Sequence, residues 1–156
     1  MPTEIVVGPD ECRFGQHGDV LIARQLSFDC AVVIHNLAAG VGALARFASC
    51  EEAIERALEE VRSSGIERQS LVAYVIGGAA VPGDESGVRR TKQTRLAAGR
   101  MLWREGVLLR GEDLGGDRAR SFRFDPAAGR LIVRTEAILS LGRAAAERAA
   151  LCHLAS

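Results

Sequence analysis

Lysine is almost missing from this chain: among 20 basic residues only Lys92 is a lysine, and the others are arginine. The bias is uniform along the sequence, so it reflects the coding genome rather than a local site. Aromatic residues are scarce, at 4% with one Trp and one Tyr, which argues against a base-stacking platform for nucleic acid. Net charge is +0, so no global field recruits nucleic acid or an anionic membrane. No apolar run approaches the roughly 20 residues of a membrane span. The start, "MPTEIVVGPDE", lacks the basic head and apolar core of a secretory leader. Four cysteines (Cys12, Cys30, Cys50 and Cys152) show no CxxC spacing, so neither a zinc site nor a disulfide framework is indicated. The expectation is a cytoplasmic protein with reduced thiols, no cofactor, no metal and no membrane insertion.

What is present fits one globular domain. The 156 residues are 47% hydrophobic and 26% charged, enough to bury a core without staples. The first third reads as short strands: 4–7, 12–14, 19–24, 28–36 and 40–48, separated by Gly, Asp or Asn. Ser49 and Glu52 form a capping box, and Ile54, Ala57, Leu58 and Val61 then recur at helical spacing. Gly65 is placed to end that helix in a left-handed cap. A near-continuous apolar strand, 70–81, runs into Gly77–Gly78, followed by the polar loop 82–87. A second helix is expected over 88–105, with Leu96, Gly99, Leu102 and Trp103 on its inner face. Strand 107–113 follows, then two strands around the turn "DPAAG" at 125–129. The Ala-rich stretch 137–156 reads as a helical extension of the domain formed by residues 1–136. This order predicts an α+β fold, mostly antiparallel sheets with packed helices.

The stretch "FDCAVVIHN" (28–36) sets a thiol and an imidazole close in sequence. An offset of five on one strand puts Cys30 and His35 on opposite faces, about 16 Å apart. They are therefore no catalytic pair. His35 reads as a strand-end histidine. A hairpin of 19–24 with 28–36 would make it a surface neighbour of His17. Cys30 taken alone reads as a small buried hydrophobe or as a nucleophile. Gly77–Gly78 marks a strand end with close backbone approach. It is part of neither a GxGxxG motif nor a P-loop. Helix 88–105 carries Arg89, Arg90, Lys92, Arg95, Arg100 and Arg104, which is either a solvated face or a dock for an acidic partner.

Four stretches together resemble one family: "VGALARFA" (41–48), "LVAYVIGGAAV" (71–81), "SGVRR" (86–90) and "GEDLGGDRARSFRFDPAAGRLIVR" (111–134). The last has an acidic pair, two glycines, an Arg-rich strand, a turn with Gly and an apolar strand ending in Arg. These residues are Glu112, Asp113, Gly115, Gly116, Arg118, Arg120, Gly129 and Arg134. The order is similar to that of CheD, the chemoreceptor glutamine deamidases, over about residues 5–134. The resemblance implies a cysteine-hydrolase fold and hydrolysis of receptor glutamine to glutamate. In that chemistry a thiolate attacks the amide, ammonia leaves, and water releases the acyl-enzyme. It assigns the nucleophile position to Cys30, in "SFDC".

The family's histidine, about sixteen residues later, corresponds to Arg46, and its threonine before the cysteine corresponds to Arg24. An arginine cannot act as a base, because its pKa exceeds about 12. Losing a positioned acid–base group typically costs about 10²–10⁴ in rate. Three functions fit the sequence. The first is a CheD-like chemotaxis protein, a pseudoenzyme whose deamidase chemistry is weak or lost, that binds chemoreceptor signalling helices and a CheC-like phosphatase. The second is an active deamidase using Cys30 with an unconventional base such as His17. The third, which the zero net charge opposes, is an anion- or nucleic-acid-binding surface on helix 88–105 with Arg118, Arg120 and Arg123.

Overall fold

"CAVVIHN" is apolar on both of its alternating faces, the pattern of a strand covered on both sides. In the computed structural model, which describes residues 2–65, 70–80, 83 and 85–138, it is β4 (Cys30–Asn36), buried at every position. The strands before it are β1 (Thr3–Val6), β2 (Glu11–Gly15) and β3 (Asp19–Leu26). After it come β5 (Val41–Phe47), α1 (Cys50–Ser63), β6 (Leu71–Gly77), α2 (Glu85–Arg104), β7 (Leu108–Leu114), β8 (Ala119–Asp125) and β9 (Arg130–Glu136). One sheet has the order β2-β5-β4-β6-β7 and the other β1-β3-β8-β9. All pairings are antiparallel except β1 with β3 and β6 with β7. The fold is α+β.

Three layers result. The helices cover one face of the five-stranded sheet, where Val32, Ile34, Ala43 and Ala45 meet Ile54, Ala57, Leu58 and Val61 of α1. The four-stranded sheet covers the other face, where Ala31, Val33, Leu44 and Ile76 meet Leu21, Leu26, Phe122 and Phe124. Helix α1 starts where the capping pattern predicts, with the Ser49 side chain accepting from the Glu52 amide. It ends at Gly65, whose φ is +79°. The described chain finishes at Ile138, packed on Ala79 and Ala119. From residue 139 onward, the helix expected over 137–156 lies outside the described residues.

Two expectations are overturned. Strands β3 and β4 do not form a hairpin but belong to different sheets. Strand β3 kinks near its end at a bulge after Ala23, with Gln25 at φ +52°, a left-handed conformation that interrupts a regular strand. The inner face of α2 is also narrower than expected. Gly87, Ala98 and Leu102 are buried, whereas Leu96 and Trp103 are 61% and 85% exposed. The helix rests on α1 and β7, with Met101 packed at the edge of the core and Val88, Leu96 and Trp103 left outside. No helix among the described residues is long and apolar enough to cross a membrane.

Candidate active site

Cys30 opens β4 and is nearly buried, 3% exposed. Its sheet neighbours are Phe47 on β5 and Gly77 on β6. Its thiol donates to the sulfur of Cys50, 2.8 Å away, and Cys50 is the first residue of α1. Above the two sulfurs lies a cavity of about 390 Å³, lined also by Phe28, Ala48, Gly78, Ala79, Ala80, Leu114 and four α2 residues, Gly87, Arg90, Thr91 and Thr94. The hydrogen bond to Cys50, followed by burial and the nearby charges of Cys50 and Asp29, raises the Cys30 pKa far above the ordinary thiol range. Cys30 is thus a poor source of thiolate as it stands.

The glycines around the cavity are backbone devices. Gly77 has φ +117°, and a Cβ there would lie 2.4 Å from the Asp29 carbonyl oxygen. Only glycine permits this approach. The following amides are tied across the site: Gly78 donates to Asp29 and Ala79 to Ser27, while Ala80 donates to Gly116. The segment "EDLGGDRAR" supports this loop from behind. Arg120, 5% exposed, pairs with Asp113 at 3.0 Å and reaches the Gly77 carbonyl at 3.5 Å. Gly115 lies so close to Thr91 that a Cβ there would come within 2.8 Å of its side chain.

Arg46 is not brought to Cys30. It pairs with Ala31, so its side chain leaves the opposite face of the sheet. There its guanidinium donates to the Asp29 carboxylate at 2.6 Å and to the carbonyls of Arg24 and Gln25 at 2.7 and 3.1 Å. The other Asp29 carboxylate oxygen accepts from the Ser27 amide at 3.2 Å. Arg24 contributes that carbonyl, while its side chain is exposed and lines a separate depression with Arg134 and Glu136. The β5 residue on the Cys30 face is Phe47.

Neither described imidazole serves the site. His17 follows β2, whose last residue, Gly15, pairs with Gly42, five residues from Phe47 along β5. That distance is about 16 Å, so His17 cannot be the base. His35 also pairs with Gly42 and is no surface histidine: it is fully buried. Its ring stacks on Tyr74 and tilts against Phe124, and neither ring nitrogen has a hydrogen-bond partner among the described residues. Burial, helped by the charge of Arg110, lowers its pKa. The third histidine, His153, lies outside the described residues.

Sequence reasoning missed Cys50, Phe47 and the α2 lining. The available signal for Cys50 was its place immediately after the N-cap Ser49. The Phe47 position depends on the β4–β5 register and has no signature of its own.

Comparison with known proteins agrees with this architecture. The family model for CheD chemotactic sensory transduction matches residues 38–135, a match that begins after Cys30. A probable chemoreceptor glutamine deamidase CheD from Solibacter usitatus is 27% identical over 146 residues, covering 82% of this chain and 86% of the relative. The chemoreceptor glutamine deamidase CheD of Thermotoga maritima is 28% identical over 142 residues, covering 83% and 90%. A probable deamidase of the same name from Syntrophus aciditrophicus is 23% identical over 150 residues, covering 85% and 94%. With the family model spanning well over half of it, this chain belongs to the CheD family.

Proposed function

We propose that this protein is a chemotaxis protein that holds chemoreceptor signalling helices at the Cys30 cavity, and that its glutamine deamidation is weak or lost. One observation carries the reading. No imidazole or carboxylate among the described residues lines the cavity that contains Cys30. Amide hydrolysis by a thiol needs a group that takes the S–H proton and later delivers one to the departing ammonia. Among the described residues, the titratable neighbour hydrogen-bonded to Cys30 is a second thiol. Both the high thiol pKa and the engagement of Arg46 with Asp29 and two carbonyls argue for a preserved scaffold without its proton relay. A CheC-like phosphatase is the second partner class this reading carries.

The test is deamidation of purified receptor signalling domains, read by mass spectrometry at glutamine, alongside a binding titration with the same domains. Wild type, Cys30→Ala, Arg46→His and Phe47→His run in parallel. The expected result is binding by the wild type without appreciable turnover. Any regained activity is expected in Phe47→His, which puts an imidazole on the Cys30 face, and not in Arg46→His. Fast wild-type turnover that disappears in Cys30→Ala would replace this reading with an active deamidase. Absence of binding would remove it.

A further inference from the structure

Cys50 has no part in the chemistry above, yet its sulfur touches that of Cys30 and both line the same cavity. We propose that Cys30 and Cys50 form a modification site for hydroperoxides, at which oxidation converts the two thiols reversibly into a disulfide across the cavity floor. The chemistry stands on geometry alone. Only its consequence for receptor binding rests on the function proposed above.

The placement is built by the fold. Cys30 is held at the start of β4 by pairing with both Phe47 and Gly77. Cys50 follows Phe47 by three residues, at the head of the 14-residue helix α1. Cys50 thus stands at the mouth of α1 with its sulfur on the cavity, and it is taken as the first to meet the peroxide. The Cys30 S–H already points at the Cys50 sulfur, 2.8 Å away, which sets it as the resolving thiol. The cavity brings a small peroxide to Cys50.

In the first step the Cys50 sulfur, giving up its thiol proton, attacks a peroxide oxygen. The O–O bond breaks, and hydroxide or alkoxide leaves and is protonated. The product is a sulfenic acid on Cys50. In the second step Cys30 gives up its proton and its sulfur attacks the Cys50 sulfur. The S–O bond breaks and water departs. Overall, two thiols and one hydroperoxide give one disulfide, one alcohol or water molecule, and one further water, the thiols losing two electrons. A disulfide needs sulfurs at about 2.05 Å, so the existing 2.8 Å contact requires only a small approach. Cys12 is a built-in comparison: it is part-buried on β2, opposite Ala45, and is not among the described residues that line the cavity.

The experiment exposes the full chain to hydrogen peroxide, then unfolds, alkylates and digests it without reductant for peptide mass spectrometry. The expected product is a linked Cys30–Cys50 peptide, lighter by two hydrogens and reversed by dithiothreitol, with Cys12 still alkylated. In Cys30→Ser, Cys50 has no resolving thiol and accumulates sulfinic acid at least about tenfold faster than in the wild type. Alkylation of both Cys30 and Cys50 after peroxide treatment, or equal sulfinic acid formation in wild type and Cys30→Ser, overturns the proposal. Titration of receptor signalling domains with reduced and oxidised chain separates the two ideas. Failure of the reduced chain to bind removes the function proposed above, while absence of the linked peptide removes this one.

Discussion

Replacing Arg46 by methionine should unfold more than it changes chemistry. The arginine is 7% exposed, and its guanidinium satisfies three acceptors that meet where β3 crosses to β4: the Asp29 carboxylate and the carbonyls of Arg24 and Gln25. Removing one partner of a buried ion pair costs about 3–5 kcal/mol, because the remaining charge stays uncompensated. The Asp29 side chain is 21% exposed, so water recovers part of that loss. The two carbonyls add a smaller penalty, about 1–3 kcal/mol for a group left wholly unsatisfied. A net loss of about 3 kcal/mol follows. At this chain length it corresponds to a fall in Tm of about 6–12 °C. Urea unfolding followed by far-UV circular dichroism measures it, with Asp29→Asn and the double variant completing a cycle. If the Asp29 contact matters as described, the coupling exceeds about 1 kcal/mol. A loss below about 1 kcal/mol in Arg46→Met, or additive single changes, would refute the structural role and reopen a catalytic one.

Two further outcomes follow. His35 has a folded pKa below its unfolded value of about 6.5, so the unfolded chain binds the extra proton. Stability is then complete above about pH 6.5 and falls on acidification by up to about 1.4 kcal/mol per pH unit until the folded pKa is reached. His35→Leu should flatten that part of the profile in chemical denaturation at several pH values, and an unchanged slope would count against it. Gly77→Ala forces a side chain into φ +117° and onto the Asp29 carbonyl. A loss of at least about 2–3 kcal/mol is expected, and a wild-type unfolding midpoint would mean that the 77–80 loop is not held as described.

Legibility in the sequence followed the period of each pattern. The all-apolar β4, the Ser49 cap and the stripe Ile54–Ala57–Leu58–Val61 were visible because burial enforces those spacings. The separation of Cys30 from His35 onto opposite faces also follows from strand parity alone, and the first packs toward α1 while the second meets Phe124 of the other sheet. The place of Arg46 was hidden. It depends on the turn between Asn36 and Val41, which pair with each other, and a turn one residue longer or shorter would exchange the faces of Arg46 and Phe47. The β3–β4 crossover was hidden as well, since a single left-handed residue, Gln25, leaves no compositional mark. Similarly, α2 carries enough apolar residues for a wide buried face, but the fold provides neighbours for only one stripe.

That exposed side of α2 has a spectroscopic consequence. Trp103 is the single tryptophan of the chain and is already 85% in water when folded. Its emission in the native protein should therefore be red-shifted and open to iodide quenching, and should hardly move when the chain unfolds. Fluorescence will be nearly blind to folding. A blue shift in this protein would instead signal that another surface had settled on α2.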